Sequence, residues 1–161
     1  MANELRPKQV TDEMHLAAAR ITVAALVEAR HLKAQEVEDA VRDLSRLKPG
    51  IWSDGYCIAK NLDDDYGWDC NFNMAEILDG HASELHSQLD AAEKAWAERV
   101  RPEPPLPLGT RICIRGIETG ILESVYKYGP AKYCVKIDGE KEAEPPTNAR
   151  RIINFEDAVA A

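Results

Sequence analysis

RPEPPLPLGTRICIR, residues 101–115, is where the chain changes character. Its prolines at 102, 104, 105 and 107 remove backbone donors and hold φ at about −65°, which favours an extended spacer over helix interior or central strand. Beyond Gly109 the apolar pattern has a period of two, Ile112 and Ile114 alternating with Arg111, Cys113 and Arg115. Before Arg101 the apolar spacing is three and four. The switch predicts an α+β protein: an acidic helical domain over 1–100 with about four helices, one of them long, a proline-rich linker over 101–108, and a small five-stranded barrel over 109–161.

Upstream, Met14, Ala17, Ile21, Ala25, Ala29 and Leu32 predict a first helix from Asp12 to Leu32, apolar nearly all round and therefore central. Val37, Ala40, Val41, Leu44 and Leu47 make a second, amphipathic helix with Glu38, Asp39 and Asp43 outward, ended by Pro49-Gly50. Ser53 or Asp54 caps a third helix that stops at Gly67. Asn73, with Glu76 three residues on, opens a fourth that runs through Gly80 to about Val100. Its stripe of Leu78, Leu85, Leu89 and Trp96 has the 3.5 period of a coiled-coil seam. That stripe reads as a bundle helix, with a homodimer through the same four residues as the alternative.

Downstream, Ile121, Glu123 and Val125 mark a second strand, and Tyr133, Val135 and Ile137 a third. Asp138-Gly139 signals a tight hairpin into a fourth strand that Pro145-Pro146 ends; Arg151 to Asn154 is the fifth. The run GTRICIRGIETGILESVYKYGPAKYCVKIDGEKEAEPPTNARRI resembles an SH3-like barrel of the Tudor or KOW type. The resemblance covers about a third of the chain and implies binding of peptides, modified side chains or nucleic acid. Separately, DGYCIAKNLDDDYGWDCN resembles a segment of small uncharacterised bacteriophage proteins, which implies an anti-CRISPR-type inhibitor of a host defence complex.

The net charge is −8, all of it in residues 1–104, where 20 Asp/Glu face 12 Lys/Arg. Bulk electrostatics therefore disfavours duplex nucleic acid as a partner. No apolar run approaches the roughly 18 residues that span a bilayer, and the N-terminal MANELRPKQV lacks a secretory apolar stretch, so a cytoplasmic protein without membrane attachment is expected. For a phage-encoded chain this would be the host cytoplasm. Cys57, Cys70, Cys113 and Cys134 form no C-x-x-C pair and read as unpaired packing residues. His81 and His86 lie five apart, about 140° around a helix, and share no metal; neither nucleophile elbow nor phosphate loop is present. The expectation is a non-enzymatic protein with no cofactor and no metal.

Trp52 to Phe72 holds half of the ten aromatic residues together with five aspartates. Asp54, Asp63, Asp64, Asp65, Tyr66, Trp68 and Asp69 form the candidate partner surface, suited to a protein with a basic groove. Negative charge at a helix C-terminus is disfavoured, so Asp63 to Asp65 break a local rule. The competing reading packs the aromatics inward and leaves the aspartates in water. A secondary surface on the barrel joins Tyr126, Tyr128 and Lys132, suited to a charged peptide or single-stranded nucleic acid. Arg101, Pro104 and Pro107 have the spacing of a proline-rich ligand; a stiff spacer is the simpler reading, and docking onto the chain's own barrel the alternative.

Overall fold

A computed structural model of the chain describes residues 4–139 and 150–161. Its packing divides into two compact units, Leu5–Glu93 and Lys94–Ala161 with Glu4.

The first unit is helical. Helix α1, Asp12–Glu28, opens at Thr11, whose hydroxyl accepts the Met14 N–H at 3.3 Å. It ends four residues earlier than Leu32 because Arg30 turns left-handed (φ 64°), letting Arg30 N–H reach Val27 C=O and His31 N–H reach Leu26 C=O. These two bonds satisfy carbonyls that a helix end otherwise leaves bare. Helix α2, Val37–Leu47, packs on α1 as a hairpin, and its C-cap is Lys48 at φ 48°. Helix α3, Gly55–Tyr66, is capped by Asp54, which accepts the Cys57 N–H at 2.7 Å, and it stops at Gly67 (φ 70°).

Helix α4, Phe72–Asp79, starts at Asn71, two residues before the expected Asn73; the Asn71 side chain accepts the Met74 N–H at 3.0 Å. Gly80 keeps right-handed helical angles (φ −67°, ψ −17°) between α4 and α5, His81–Val100, so a single long helical run persists through it. The core joins Val23 and Leu26 of α1, Leu44 of α2, Ile58 and Leu62 of α3, and Leu78 of α4. Helices α3 and α4 meet at Gly55, where an added Cβ would lie 1.9 Å from the Ala75 carbonyl oxygen and 2.4 Å from the Asp79 nitrogen. The Asp79 carboxylate accepts the Gly55 N–H at 2.9 Å.

The inward stripe of α1 departs from expectation. His15, Ala18, Ala19, Thr22, Val23 and Leu26 are buried, whereas Leu16 and Ile21 are exposed. The helix therefore has a wet side and is not central. Thr22 Oγ1 lies 2.8 Å from Nδ1 of the fully buried His81, so a polar pair replaces an apolar contact between α1 and α5. Buried Arg6 pairs with half-buried Glu93 at 3.2 Å. The seam residues Leu78 and Leu85 are fully buried and Trp96 is buried, Leu89 being half-buried. Three of the four positions offered for a dimer are thus already covered within one chain.

The second unit is a five-stranded antiparallel sheet curled into a half-barrel: β1 Arg111–Ile114, β2 Glu118–Val125, β3 Lys132–Ile137, β4 Arg151–Asn154 and β5 Val159–Ala160. Its order is β4-β3-β2-β1-β5. The expected fourth strand after Asp138-Gly139 falls outside the described residues, and β5 comes from a C-terminal segment that carried no strand signal. Ile112, Ile114, Leu122, Tyr133, Val135 and Ile153 point inward with Trp96 and Phe155. In β2 the buried residues are Gly120 and Leu122, while Ile121 and Val125 are exposed. The close approach of β3 dictates this register: a Cβ on Gly120 would sit 2.5 Å from the Lys136 carbonyl oxygen.

Tyr133 is fully buried, and its hydroxyl donates to Leu106 C=O at 2.7 Å and accepts the Leu106 N–H at 3.0 Å. The proline-rich segment is therefore docked on the chain's own sheet at Leu106.

Two outcomes follow from this packing. Gly55→Ala should destabilise the protein by about 3 kcal/mol in urea denaturation, because backbone rather than a movable side chain occupies the space. Burial, then the neighbouring His15, pushes the His81 imidazole down to about 4. The unfolded chain, with an ordinary histidine near 6.5, takes up the proton first. Stability is then complete above about pH 6.5 and falls by about 2 kcal/mol between pH 6.5 and 5, levelling off only below the folded value. His81→Leu should flatten that part of the profile, measured as urea midpoints against pH.

Candidate functional site

Gly67 shapes the region around Trp68. Its left-handed turn folds the chain back on the end of α3, so Trp68 N–H donates to Leu62 C=O at 3.2 Å. Asp63 then accepts the Cys70 N–H at 2.9 Å. Trp68 and Tyr66 are half-buried and pack on the helical core. The Trp68 indole N–H donates to the Asp43 carboxylate of α2 at 3.3 Å.

These contacts wall a groove of about 400 Å³ lined by Glu36, Asp39, Asp43, Tyr66, Trp68 and Asp69, with His31 at its border. Arg42 partly balances the acids, lying 2.6 Å from Asp39 and 3.3 Å from Asp43. Asp39 foremost, with Asp43 adding to it, holds the guanidinium above its ordinary range. Glu36 accepts the Lys33 N–H at 2.7 Å. Asp69 is exposed at the groove's edge. Two aromatic faces within a ring of carboxylates can hold a guanidinium or ammonium group by cation–π attraction and charge-assisted hydrogen bonds together.

Of the seven residues singled out in the sequence, the groove brings together Tyr66, Trp68 and Asp69. Asp54 stands at the opposite end of α3 as its cap. Asp63 is committed to the Cys70 amide, which explains one carboxylate at a helix C-terminus. Asp64 pairs with Lys60 at 2.5 Å, and Asp65 is exposed. The groove's other acids, Glu36, Asp39 and Asp43, come from a separate stretch. Asp39 and Asp43 share one face of α2 at i, i+4 spacing, the available signal that this face carried more than solvation.

Trp52, Tyr56 and Phe72 are exposed, Trp52 meeting the His86 ring edge-on at 5.3 Å. They neither pack inward nor line the groove. Burial, then Asp63, pushes the Cys70 thiol up to about 12, leaving it a poor nucleophile at neutral pH. All four cysteines are free, and Cys57 is exposed rather than packed. Among the described residues no group of three or more His, Cys, Asp or Glu is arranged to hold a metal ion. No described helix is long and apolar enough to cross a membrane.

On the half-barrel, the Tyr126 and Tyr128 rings meet at 5.6 Å, and Lys127 Nζ lies 4.7 Å from the Tyr128 centroid. Tyr126 and Lys132 both flank Gly129. Tyr126, Tyr128 and Lys132 thus lie near one another. No family model, curated protein or solved structure matches the chain.

The groove depends on Trp68 from two sides. Asp43→Ala should leave the indole N–H without its partner and cost about 1 kcal/mol of stability, while Trp68→Phe should cost a similar amount and reduce the effect of Asp43→Ala to the loss of its Arg42 contact. A double-mutant cycle in urea measures that coupling.

Proposed function

We propose that this chain is a non-enzymatic protein-interaction protein whose helical unit receives a cationic side chain of a protein partner in the Trp68 groove. The observation that carries this reading is the convergence of Tyr66 and Trp68 with four carboxylates from two separate stretches of sequence. The net charge of the unit supports it: residues 5–93 hold 17 Asp/Glu against 9 Lys/Arg. Such a surface attracts basic partners at long range, while the half-buried aromatics supply the short-range contact. In its sharper form the proposal is a phage-encoded, anti-CRISPR-type inhibitor acting in the host cytoplasm, its acidic face occupying a basic groove built for nucleic acid. The bacteriophage-like segment 54–71 supports that form.

A second reading, peptide or single-stranded nucleic-acid binding through an SH3-like sheet unit, is favoured by the paired Tyr126 and Tyr128 rings beside Lys127.

Stopped-flow binding of a fluorescent octa-arginine peptide discriminates the two. Asp39→Asn with Asp69→Asn should slow association and reduce its salt dependence, whereas Trp68→Ala should accelerate dissociation about tenfold or more. Wild-type kinetics in these variants, with a labelled single strand lost on Tyr128→Ala, would move the function to the sheet.

A further inference from the structure

We propose that the half-barrel carries a second binding site, a trough along the outer edge of β4, an edge that no described strand covers, and that it accepts an extended acidic peptide as an added strand. The trough measures about 510 Å³, a volume typical of ligand sites. All four residues of β4 line it, odd and even alike, so it runs beside the strand's edge and not over one face. Its far wall is the β1–β2 turn, Ile114 to Ile117.

The register of β4 fixes which backbone groups face the trough. Phe155 N–H donates to Ala131 C=O, and β3 and β4 pair Tyr133 with Ile153 and Cys134 with Ile152. With a period of two, Ile153 and Arg151 exchange bonds with β3, and Ile152 directs its N–H and C=O outward. An outward-facing strand edge is a template for another strand, and among the described residues β4 ends the sheet.

The wall chemistry selects the occupant. Ile117 is 86% exposed and Ile152 is 46% exposed, offering apolar contact on both sides of the added strand. Of the charged residues that line it, Arg151 is paired with Glu118 at 2.8 Å, Asp157 accepts the Asn154 side-chain N–H at 2.9 Å, and Lys132 of β3 is engaged as well. Arg115 has no ion pair or hydrogen bond among the described residues, and it stands at φ 50°, beside Gly116 at φ 70°. Both central residues of this turn are left-handed and Ile117 N–H bonds to Ile114 C=O, a type I′ turn in which asparagine or glycine is the relaxed choice. An arginine kept at that position places on the trough wall a cation without an ion pair among the described residues. A strand of four or five residues with β-branched side chains and one carboxylate opposite Arg115 matches these features.

The probe is an acetylated, amidated hexapeptide alternating valine and threonine around one central glutamate, titrated into the full chain and followed by amide NMR. The expected result is a shift and slowed exchange of the Ile152 amide. Arg115→Asn, which suits the left-handed turn, should weaken binding about tenfold, and Arg115→Lys should restore most of it. A peptide N-methylated at the residue opposite Ile152 should not bind. Three results would overturn the proposal: no Ile152 shift at millimolar peptide, equal binding of the N-methylated or the glutamate-to-lysine peptide, or an Ile152 amide already protected in a dimer of the free chain. None of these bears on the Trp68 groove, whose charge and residues are different.

Discussion

The hydrogen bond from the Trp68 indole to Asp43 is the contact on which the helical unit's surface chemistry depends. It joins the segment after α3 to α2, stretches 25 residues apart in sequence, and it forms only because Gly67 reverses the chain. With a side chain on residue 67 the left-handed angle would be strained, although space around it is open. Asp63 supports the same turn by holding the Cys70 amide. One glycine and one aspartate thus convert an acidic, aromatic stretch from a solvated tail of a helix into one wall of a groove.

The two units solve different physical problems. The helical unit concentrates charge and must keep its interior consistent with that; where α1 meets α5 it tolerates a buried Thr22–His81 bond instead of a fully apolar seam. The sheet unit is electrically balanced in sequence, and its constraint is closure. Among the described residues the half-barrel leaves β4 without a partner strand on one side, and Tyr133 draws Leu106 of the proline segment onto the concave core. A donor-poor proline segment suits this role, because few of its backbone groups need partners beyond those that Tyr133 supplies.

Periodic features were legible in the sequence. The bounds of α2, the Asp54 cap and the Gly67 stop of α3, and the inward alternation of β1 and β3 all agree with local patterns, since each depends on neighbours within a few residues. The departures have tertiary causes. Counting only apolar residues rotated the stripe of α1, because His15 and Thr22 are buried too, Thr22 through a partner 59 positions further on. Gly120 shows why β2 faces inward on its other residues: the backbone of β3 leaves no room for a side chain there. The wall after α3 was visible as Tyr66, Trp68 and Asp69, but the acids before and in α2 look like any solvated helix face until Trp68 is folded onto them.

The tryptophans themselves offer the most direct test. Trp52 is exposed, Trp68 borders the groove and Trp96 is buried, its indole bonded to Glu4 C=O at 2.9 Å. Three indole N–H signals therefore report three environments in one NMR spectrum of the full chain. On titration with octa-arginine the account predicts a progressive shift of the Trp68 indole, with Trp52 and Trp96 unmoved. A shift of Trp52 alone, or saturation of peptide binding with Trp68 unmoved, would contradict it.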